Sequence, residues 1–361
     1  MKTRDRLTWF AAVLMVSSAL WPMPAFGCCA AGRKGKPVVN ADQTVIIIWD
    51  AETKTQHFIR KATFKSDGDD FGFLIPTPTE PQLNESGDDA FPFLMRVTAP
   101  ETIRRPRPPA GISCGCGKTK FAAEKAKSEV KVLQEKDVAG FNAVVLEATS
   151  AGALVKWLNQ RGYFFSPEVQ AWVEPYVKQN WKITALKVAK GKDGTQGTNV
   201  AAAALRMTFK TDRPLFPYRE PDSKSAAGSL GASNRLLRVY FLSDVRYDGE
   251  LGNGGGWSGK AVWSNRLSDG DRGKLLEKLK LPAATGPRTF WLTEFEDEWA
   301  YADAPGDVYF SKARNQATLK RPPIIQYTSS LWSSDPAVYG LIAVFVIFPF
   351  VRKFRRRRGA A

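Results

Sequence analysis

The chain has 361 residues and a formal net charge of +16, with 52 Lys and Arg against 36 Asp and Glu. Its single histidine, His57, excludes metal sites and catalytic centres that need two or more imidazoles. The C-terminal tail contributes +6 and the N-terminal segment +2, which leaves a moderate +8 on the part between them. That part spans about 300 residues, enough for one large domain or two smaller ones.

The N-terminus has the three parts of a secretory signal. A basic start precedes an apolar stretch, residues 7–16, and small residues flank a cleavage position before Cys28. Pro22 and Pro24 would break a helix just before that position, which favours cleavage over an uncleaved anchor helix. We therefore expect residues 1–27 to be a signal peptide, and lipidation of Cys28 stays open as an alternative.

Four cysteines form two close pairs, Cys28-Cys29 and Cys114-Gly-Cys116. A bond within either pair would close a strained ring, whereas a crossed bond joins the mature N-terminus to the Cys114 loop. The crossed bond closes about 86 residues, worth roughly 4–5 kcal/mol in the chain-entropy model. An oxidising compartment favours disulfides among Cys28, Cys29, Cys114 and Cys116. A four-thiolate site for Cu(I) or Zn is the alternative, and the absent Cys-x-x-Cys spacing argues against thioredoxin-like exchange.

The first half of the chain predicts a hairpin, a third strand and a helix. Residues 43–49 and 56–64 are rich in β-branched and aromatic residues on either side of a turn. A third strand, 71–75, runs into Pro76-Thr-Pro78, where two prolines force extended backbone and remove backbone donors. A short helix is expected over 90–97.

A loop rich in Pro, Gly and Cys, residues 101–117, precedes the second half and allows a sub-division of the domain near 118–135. The expected elements after it are strands at 129–134, 141–147, 181–188, 201–210, 235–245, 259–264 and 288–295, and helices at 151–160, from 167 and at 271–279. This pattern predicts an α+β fold that is rich in β-strands around a central helical pair.

The C-terminus combines an uncharged apolar segment with a basic tail. Residues 336–351 carry no charge, and a helix needs ~17–25 apolar residues to span a bilayer, so the segment is at the short end. Six cations follow in 352–361 and would stay cytoplasmic, which favours a spanning helix over a buried one. A processed surface-sorting tail is a minor alternative. We expect residues 28–335 to form the exported domain, on the periplasmic or extracellular side of a cell membrane.

Three patterns allow a catalytic or metal-binding interpretation. His57 lies on the hairpin, but no Gly-x-Ser-x-Gly elbow accompanies it. Asp67-Gly-Asp-Asp70 has the oxygen density of a Ca²⁺ loop without the later glutamate of an EF-hand. Glu294, Glu296 and Glu298 share one face of a strand, as in carbohydrate-cleaving carboxylate pairs, although a solvated face explains them as well.

A glycine pattern gives a fourth candidate. Gly254-Gly-Gly-Trp-Ser-Gly259 matches the Gly-x-Gly-x-x-Gly of dinucleotide-binding proteins, but a strand rather than a helix follows it. We expect a hairpin loop at this position. The sequence therefore predicts no catalytic residue, no metal ligand and no cofactor.

Two elements resemble a bacterial family known as domain of unknown function 2330. The first is Asp70-Phe-Gly-Phe-Leu-Ile-Pro-Thr-Pro78, and the second is a Leu-x-x-Trp-Leu helix followed by Gly162-Tyr163. Phe73 stands where many members have Trp, and Thr77 where many have Val. The resemblance implies an exported protein, often with a C-terminal membrane helix, and brings no activity. It implies packing and turn roles for Phe71, Phe73, Pro76, Pro78, Pro81, Trp157 and Tyr163.

These observations favour a membrane-anchored, non-enzymatic binding or envelope-assembly protein. The expected partners are the membrane and an envelope protein or anionic polymer, and nucleic acid is not expected for an exported domain. Two alternatives remain open at this point. One is an envelope hydrolase using Glu294, Glu296 and Glu298, and the other is a soft-metal-binding protein using the cysteines.

Overall fold

The computed structural model describes residues 30–31, 38–40, 43–61, 63–66, 72–106, 131–162, 167–188, 199–201, 203–219, 235–252, 254–299 and 306–328. These residues belong to two compact units. The larger unit holds the described residues up to 99 and from 131 to 321. The smaller unit holds residues 100–106 and 322–328.

Four helices lie in the described residues: α1 (Ala90–Val97), α2 (Ala151–Gln160), α3 (Pro167–Lys178) and α4 (Asp269–Lys278). Serine side chains begin two of them, because a serine oxygen can accept a hydrogen bond from an otherwise unpaired amide in the first turn. Ser150 accepts from the amide of Ala153 in α2, and Ser268 accepts from the amide of Asp271 in α4. The helix predicted over 90–97 and the one predicted over 151–160 have the predicted bounds.

The largest sheet has seven strands. In order across the sheet they are β17 (Lys260–Arg266), β18 (Trp291–Trp299), β15 (Arg235–Ser243), β3 (Gln43–Asp50), β4 (Thr55–Lys61), β13 (Ala204–Lys210) and β7 (Gln82–Ser86). All neighbours are antiparallel except β15 and β3. Strands β3 and β4 form the predicted hairpin. Ile46, Ile47 and Ile48 of β3 have no solvent exposure, as the uninterrupted apolar run of a central strand requires.

A second sheet has five antiparallel strands. They are β1 (Ala30–Ala31), β6 (Gly72–Thr77), β11 (Lys182–Val188), β10 (Phe141–Glu147) and β9 (Lys131–Val138). The prediction that the strand ends before Pro76 was wrong, since Pro76 lies inside β6 opposite Ile183. In the described part of the chain, β1 pairs with β6 only at Gly72 and Phe73, so no described strand on that edge takes a donor from Pro76.

The remaining strands form three small sheets. The larger unit has β12 (Asn199–Ala201), β5 (Thr63–Ser66) and β2 (Val38–Asn40) in one sheet, and β14 (Leu215–Phe216), β19 (Val308–Lys312) and β16 (Tyr247–Leu251) in another. The smaller unit has the parallel pair β8 (Thr102–Pro106) and β20 (Ile324–Thr328). The sheets are therefore mixed, with two parallel pairings among antiparallel ones in the described residues.

Three apolar cores give the larger unit the layer order helix, sheet, sheet, helix. One core joins α1 and α4 to a face of the seven-stranded sheet, with Ile48 and Leu275 among its members. The middle core fills the space between the two large sheets and includes Ile47 and Phe141. The third joins α2 and α3, the predicted helical pair, to the outer face of the five-stranded sheet. The described fold is thus α+β and rich in β-strands, as predicted.

No helix among the described residues is long and apolar enough to cross a membrane. The segment predicted to do so, residues 336–351, lies outside the described residues, as do the predicted signal peptide and the basic tail. The predicted sub-division near 118–135 also falls mostly outside them. These assignments stay predictions.

Candidate functional site

Strand β18 carries the carboxylates that the sequence singled out. Glu294, Glu296 and Glu298 alternate along it and lie on the sheet face that α1 and α4 cover. Glu294 is 1% exposed, the Glu296 side chain is 21% exposed, and Glu298 is exposed. A solvated face therefore describes Glu298, and it was the wrong expectation for Glu294.

Two arginines explain why these glutamates can be buried. Arg238 on β15 faces Glu296 in the strand register, and Arg321 is the last residue of the larger unit. Arg238 Nε lies 2.8 Å from Glu294 Oε1, and its Nη2 lies 2.6 Å from Glu296 Oε1. Arg321 Nη2 lies 2.9 Å from Glu294 Oε1 and 2.8 Å from Glu296 Oε1. Each arginine thus bridges both carboxylates, and we call these four residues the ion-pair cluster.

Ion pairing favours the charged forms of Glu296, Arg238 and Arg321. Burial would raise the pKa of Glu296, but hydrogen bonds and charges from Arg321 and Arg238 outweigh burial and lower that pKa. Burial would lower the pKa of Arg321 and of Arg238, yet the glutamates raise both. A glycosidase acid needs a carboxyl whose pKa is raised toward the working pH. Glu296 has the opposite property, so the geometry does not support it in that role.

Tyr240 adds a buried phenol beside the ion-pair cluster. It is paired with Glu294 across β15 and β18 and has no solvent exposure. Burial first, and then the charge of Glu294, raise the pKa of Tyr240, so its hydroxyl stays protonated. The Tyr240 hydroxyl interacts with the side chains of Glu294 and Thr98, so it links the ion-pair cluster to the end of α1.

The opposite face of β18 carries a fourth carboxylate, Asp297, which is 1% exposed in the middle core. Its Oδ2 accepts hydrogen bonds from the Tyr218 hydroxyl at 2.8 Å and from Trp257 Nε1 at 2.9 Å. Its Oδ1 is buried without a partner. Asp297 therefore holds two aromatic side chains in place through a single oxygen.

Several glycines leave space for the side chain of Trp257, which lies in the loop between β16 and β17. Residues 252–259 connect β16 to β17, which belong to different sheets, so the predicted hairpin loop was wrong. A Cβ on Gly249 would lie 2.6 Å from the Trp257 ring, and a Cβ on Gly259 would also overlap that ring. The ring centroids of Trp257 and Phe295 are 5.4 Å apart. These glycines therefore make room for an indole that packs against the middle core.

His57 is a partly buried, neutral histidine on β4. Its Nδ1 lies 2.9 Å from Thr208 Oγ1 on the neighbouring β13. Burial, helped by the charge of Arg206 and opposed by that of Asp50, lowers the pKa of His57 to about 4. Arg206 itself donates to the carbonyl of Leu279 at the C-terminal end of α4, at 3.0 Å. This arrangement stabilises the sheet and the end of a helix, and it sets up no nucleophile.

A polar network that the sequence did not reveal links β19 to α3. The buried carboxylate of Asp307 accepts from the Tyr176 hydroxyl at 2.9 Å and from the Arg219 amide at 3.1 Å. Burial raises the pKa of Asp307. Trp172 Nε1 donates to the carbonyl of Arg219 at 2.7 Å. The network joins three segments that are far apart in the sequence, which is why no local pattern marks it.

The described positions of the family motif lie in cores and turns. Phe73 is 1% exposed and packs edge-to-face on Phe141, with centroids 5.4 Å apart. Trp157 is 5% exposed, and the Arg161 guanidinium lies 4.0 Å from its ring centroid. Pro76 and Pro81 are buried, Pro78 is partly exposed, and Phe71 and Tyr163 lie outside the described residues.

The four cysteines, Cys28, Cys29, Cys114 and Cys116, lie outside the described residues, as does the acidic turn Asp67–Asp70. Their pairing and the interpretation of the turn stay predictions. In the described part of the chain, no group of three or more His, Cys, Asp or Glu side chains could hold a metal ion.

The two cavities described here are not lined by the candidate catalytic residues. A surface cavity of about 460 Å³ is lined by Glu85 and by residues 136–141 of the β9–β10 hairpin. A narrow gap between the two large sheets, among Phe58, Arg60, Phe73 and neighbouring apolar residues, is too small to hold a water molecule. Neither cavity includes His57 or the ion-pair cluster.

The fold and the ion-pair cluster define a β-rich α+β domain in which the acidic strand serves packing and charge pairing. The family described as an uncharacterized protein conserved in bacteria, DUF2330, matches residues 22–308. The chain belongs to this family, which confirms the resemblance of its motifs. No curated protein matches the chain. The matched span includes both glutamates of the ion-pair cluster and ends before Arg321.

Proposed function

We propose that the chain is an exported, membrane-tethered binding or envelope-assembly protein. Residues 1–27 direct export, residues 28–335 form the exported part, residues 336–351 cross the cell membrane, and residues 352–361 remain in the cytoplasm. The observation that carries the proposal is the ion-pair cluster. It holds Arg321, the last residue of the larger unit, 15 residues before the proposed membrane helix begins at Pro336.

The geometry of the ion-pair cluster suits an attachment better than a reaction. A tethered domain must be fixed firmly at the residue where its chain leaves for the membrane. Arg321 is fixed by ion pairs with Glu294 and Glu296. Arg238 forms ion pairs with the same two carboxylates. Removing one partner of a buried pair costs several kcal/mol, roughly 3 for a cluster that is partly exposed. Because arginines engage both carboxylates, neither is available as an acid or a nucleophile.

Charge supports a partner that is acidic or anionic. The exported part carries a formal charge of about +8, spread over its length. An envelope protein with an acidic surface or an anionic envelope polymer fits this charge. Export argues against a nucleic acid partner.

Cell fractionation tests the tether. We expect the full chain in the membrane fraction after a carbonate wash, and a chain ending at residue 335 in the soluble envelope fraction or the medium. Protease added to intact spheroplasts should digest the exported part and spare the basic tail. Recovery of the intact chain from the cytoplasm would refute the proposal.

Cross-linking in cells, followed by recovery of the tagged full chain, tests binding against hydrolysis. We expect the same cross-linked partner for the wild type, His57→Asn and Glu298→Gln, because neither side chain performs chemistry in the proposed function. Circular dichroism shows that each variant is folded. A folded Glu298→Gln variant that traps a polymer substrate would instead support an envelope hydrolase.

A further inference from the structure

The smaller unit contains a parallel ribbon of two strands, β8 and β20. Ile103 and Ile325 are paired in its register, and paired residues project from the same face. Two residues further along the ladder, Arg105 pairs with Tyr327. In the strand register, the isoleucine pair is thus followed two residues later by an arginine opposite a tyrosine.

Apolar side chains on this ribbon are open to solvent. Ile103 is 39% exposed, Ile324 is 55% exposed and Ile325 is 40% exposed. Among the described residues, the other large hydrophobic side chains with comparable exposure are Met95 and Val132, each in the larger unit. Isoleucine is among the residues most often buried, and an isolated pair of strands is marginally stable in water. The ribbon thus has the features of a surface that a partner covers.

Charge and position along the chain favour a membrane surface as the partner. Strand β8 carries the exposed Arg104, within the run Arg104-Arg-Pro-Arg107. Strand β20 ends at Thr328, eight residues before the proposed membrane helix begins at Pro336. Eight extended residues reach at most about 29 Å, so the tether keeps the ribbon close to the bilayer. An exposed arginine such as Arg104 is suited to the membrane–water interface, where its apolar stem and its charged head are each accommodated.

We infer that this ribbon lies in the headgroup region of the bilayer beside the anchor. The lipid there surrounds both faces of the ribbon and covers Ile103, Ile324 and Ile325, while Arg104 contacts anionic phospholipid headgroups. The inference rests on the proposed function, because the helix at 336–351 brings the ribbon within reach. A protein strand added to the ribbon edge is the competing occupant, and the experiment separates the two.

The test uses the full chain in nanodiscs that contain phosphatidylglycerol and a phospholipid with a photoactivatable group near its headgroup. After illumination and proteolysis, mass spectrometry maps the lipid adducts. We expect adducts in the peptides that contain residues 102–106 and 324–328, as well as at the ends of residues 336–351. Replacing the anionic lipid by a zwitterionic one should lower the ribbon adducts by about threefold or more, with the anchor adducts unchanged.

Matched variants identify the contacting side chains. Ile103→Ser combined with Ile325→Ser should lower the ribbon adducts by about threefold or more and leave the anchor adducts unchanged. Met95→Ser removes a comparably exposed apolar side chain from the larger unit and should leave the ribbon adducts as they are. The lipid exchange needs no variant, so it tests the inference even if the serine substitutions separate the two strands.

The outcomes separate the inference from the proposed function. Adducts at the anchor without adducts at the ribbon would overturn the inference and leave the tether standing. An absence of adducts at both places would overturn the tether, and the inference with it. Ribbon peptides that cross-link to protein when envelope extract is present, and never to lipid, would overturn the lipid partner in favour of a protein strand.

Discussion

His57 makes the fold sensitive to acid. In the folded chain, burial and the charge of Arg206 lower the pKa of His57 to about 4, whereas the ordinary value of 6.5 applies to the unfolded chain. Between these two values the unfolded chain binds a proton that the folded chain does not. The free energy of unfolding therefore falls as the pH falls from 6.5 toward 4, and above 6.5 the contribution is fully present.

The first prediction follows from that linkage. The wild type should lose up to about 1.4 kcal/mol of stability per pH unit between pH 6.5 and 5, a range in which most carboxylates still stay ionised. His57→Asn, which cannot titrate, should lose much less. Urea unfolding at three pH values across this range measures both slopes. Thr208→Val is the control, because it removes the hydrogen-bond partner and keeps the titrating ring, so its slope should remain steep.

The second prediction concerns the ion-pair cluster. Arg321→Gln leaves Glu294, which is 1% exposed, with one cation fewer, and should destabilise the chain by about 3 kcal/mol. Lys54→Gln is the matched control. Lys54 and Asp212 form an ion pair with side-chain exposures of 61% and 90%, so its loss should leave the urea midpoint nearly unchanged. Similar midpoint shifts in the two variants would show that Arg321 is no firmer an attachment than a surface pair.

At the scale of elements, the third prediction concerns the loop between β16 and β17, which contains Trp257. Gly259→Ala places a methyl group against the Trp257 ring and should displace it from Asp297, at a cost of about 2–4 kcal/mol. Gly256→Ala lies in the same loop with nothing within 4 Å of the added Cβ, and it should be neutral. Urea unfolding compares the two variants.

A double-mutant cycle checks the cause of that difference. If the clash with the indole is responsible, adding Gly259→Ala to Trp257→Ala should cost much less than adding it to the wild type. Equal costs in the two backgrounds would point to backbone strain at Gly259 instead. The cycle therefore separates contact with Trp257 from an effect on the loop itself.

Elements with a strong local pattern could be predicted from the sequence, and elements defined by distant partners could not. The strand Phe141–Glu147 and the helix Ala151–Gln160 have the predicted bounds, because their apolar residues recur at strand and helix spacing. Strand β16, Tyr-Asp-Gly-Glu-Leu, was missed, since two of its five residues are buried and its pairing with β19 lies about 60 residues away.

The same contrast holds for the candidate site. Alternation along β18 correctly placed Glu294 and Glu296 on one face. Their depth could not be predicted, because it depends on Arg238 and Arg321, which lie 58 and 25 residues from Glu296. An isolated arginine that is far away in the sequence forms no periodic pattern from which its pairing could be predicted. Tyr240 was likewise part of an apolar strand pattern and became notable only beside Glu294.

At the scale of the whole molecule, different parts of the sequence determine the three cores and the proposed membrane tether. Apolar residues on both faces of two sheets fix the layers of the larger unit, and most of these residues could be recognised from their spacing. In the proposed function, attachment to the membrane depends on the two ends of the chain and on Arg321. A change in the ion-pair cluster should therefore weaken the larger unit at the residue where, in the proposed function, its chain leaves for the membrane.

The cysteines give the last prediction, which concerns the N-terminus that the proposed cleavage before Cys28 would leave. The described residues nearest Cys28 and Cys29 are Ala30 and Ala31, which form strand β1 and pair with Phe73 and Gly72 of β6. A disulfide from Cys28 or Cys29 to the Cys114 loop would stabilise the fold by roughly 4–5 kcal/mol in the chain-entropy model. The intact mass of the chain purified from membranes should correspond to residues 28–361 with four hydrogens lost and no metal. Iodoacetamide should label it only after reduction, and reduction should lower the urea midpoint. Four free thiols with a retained metal ion would favour the thiolate site instead.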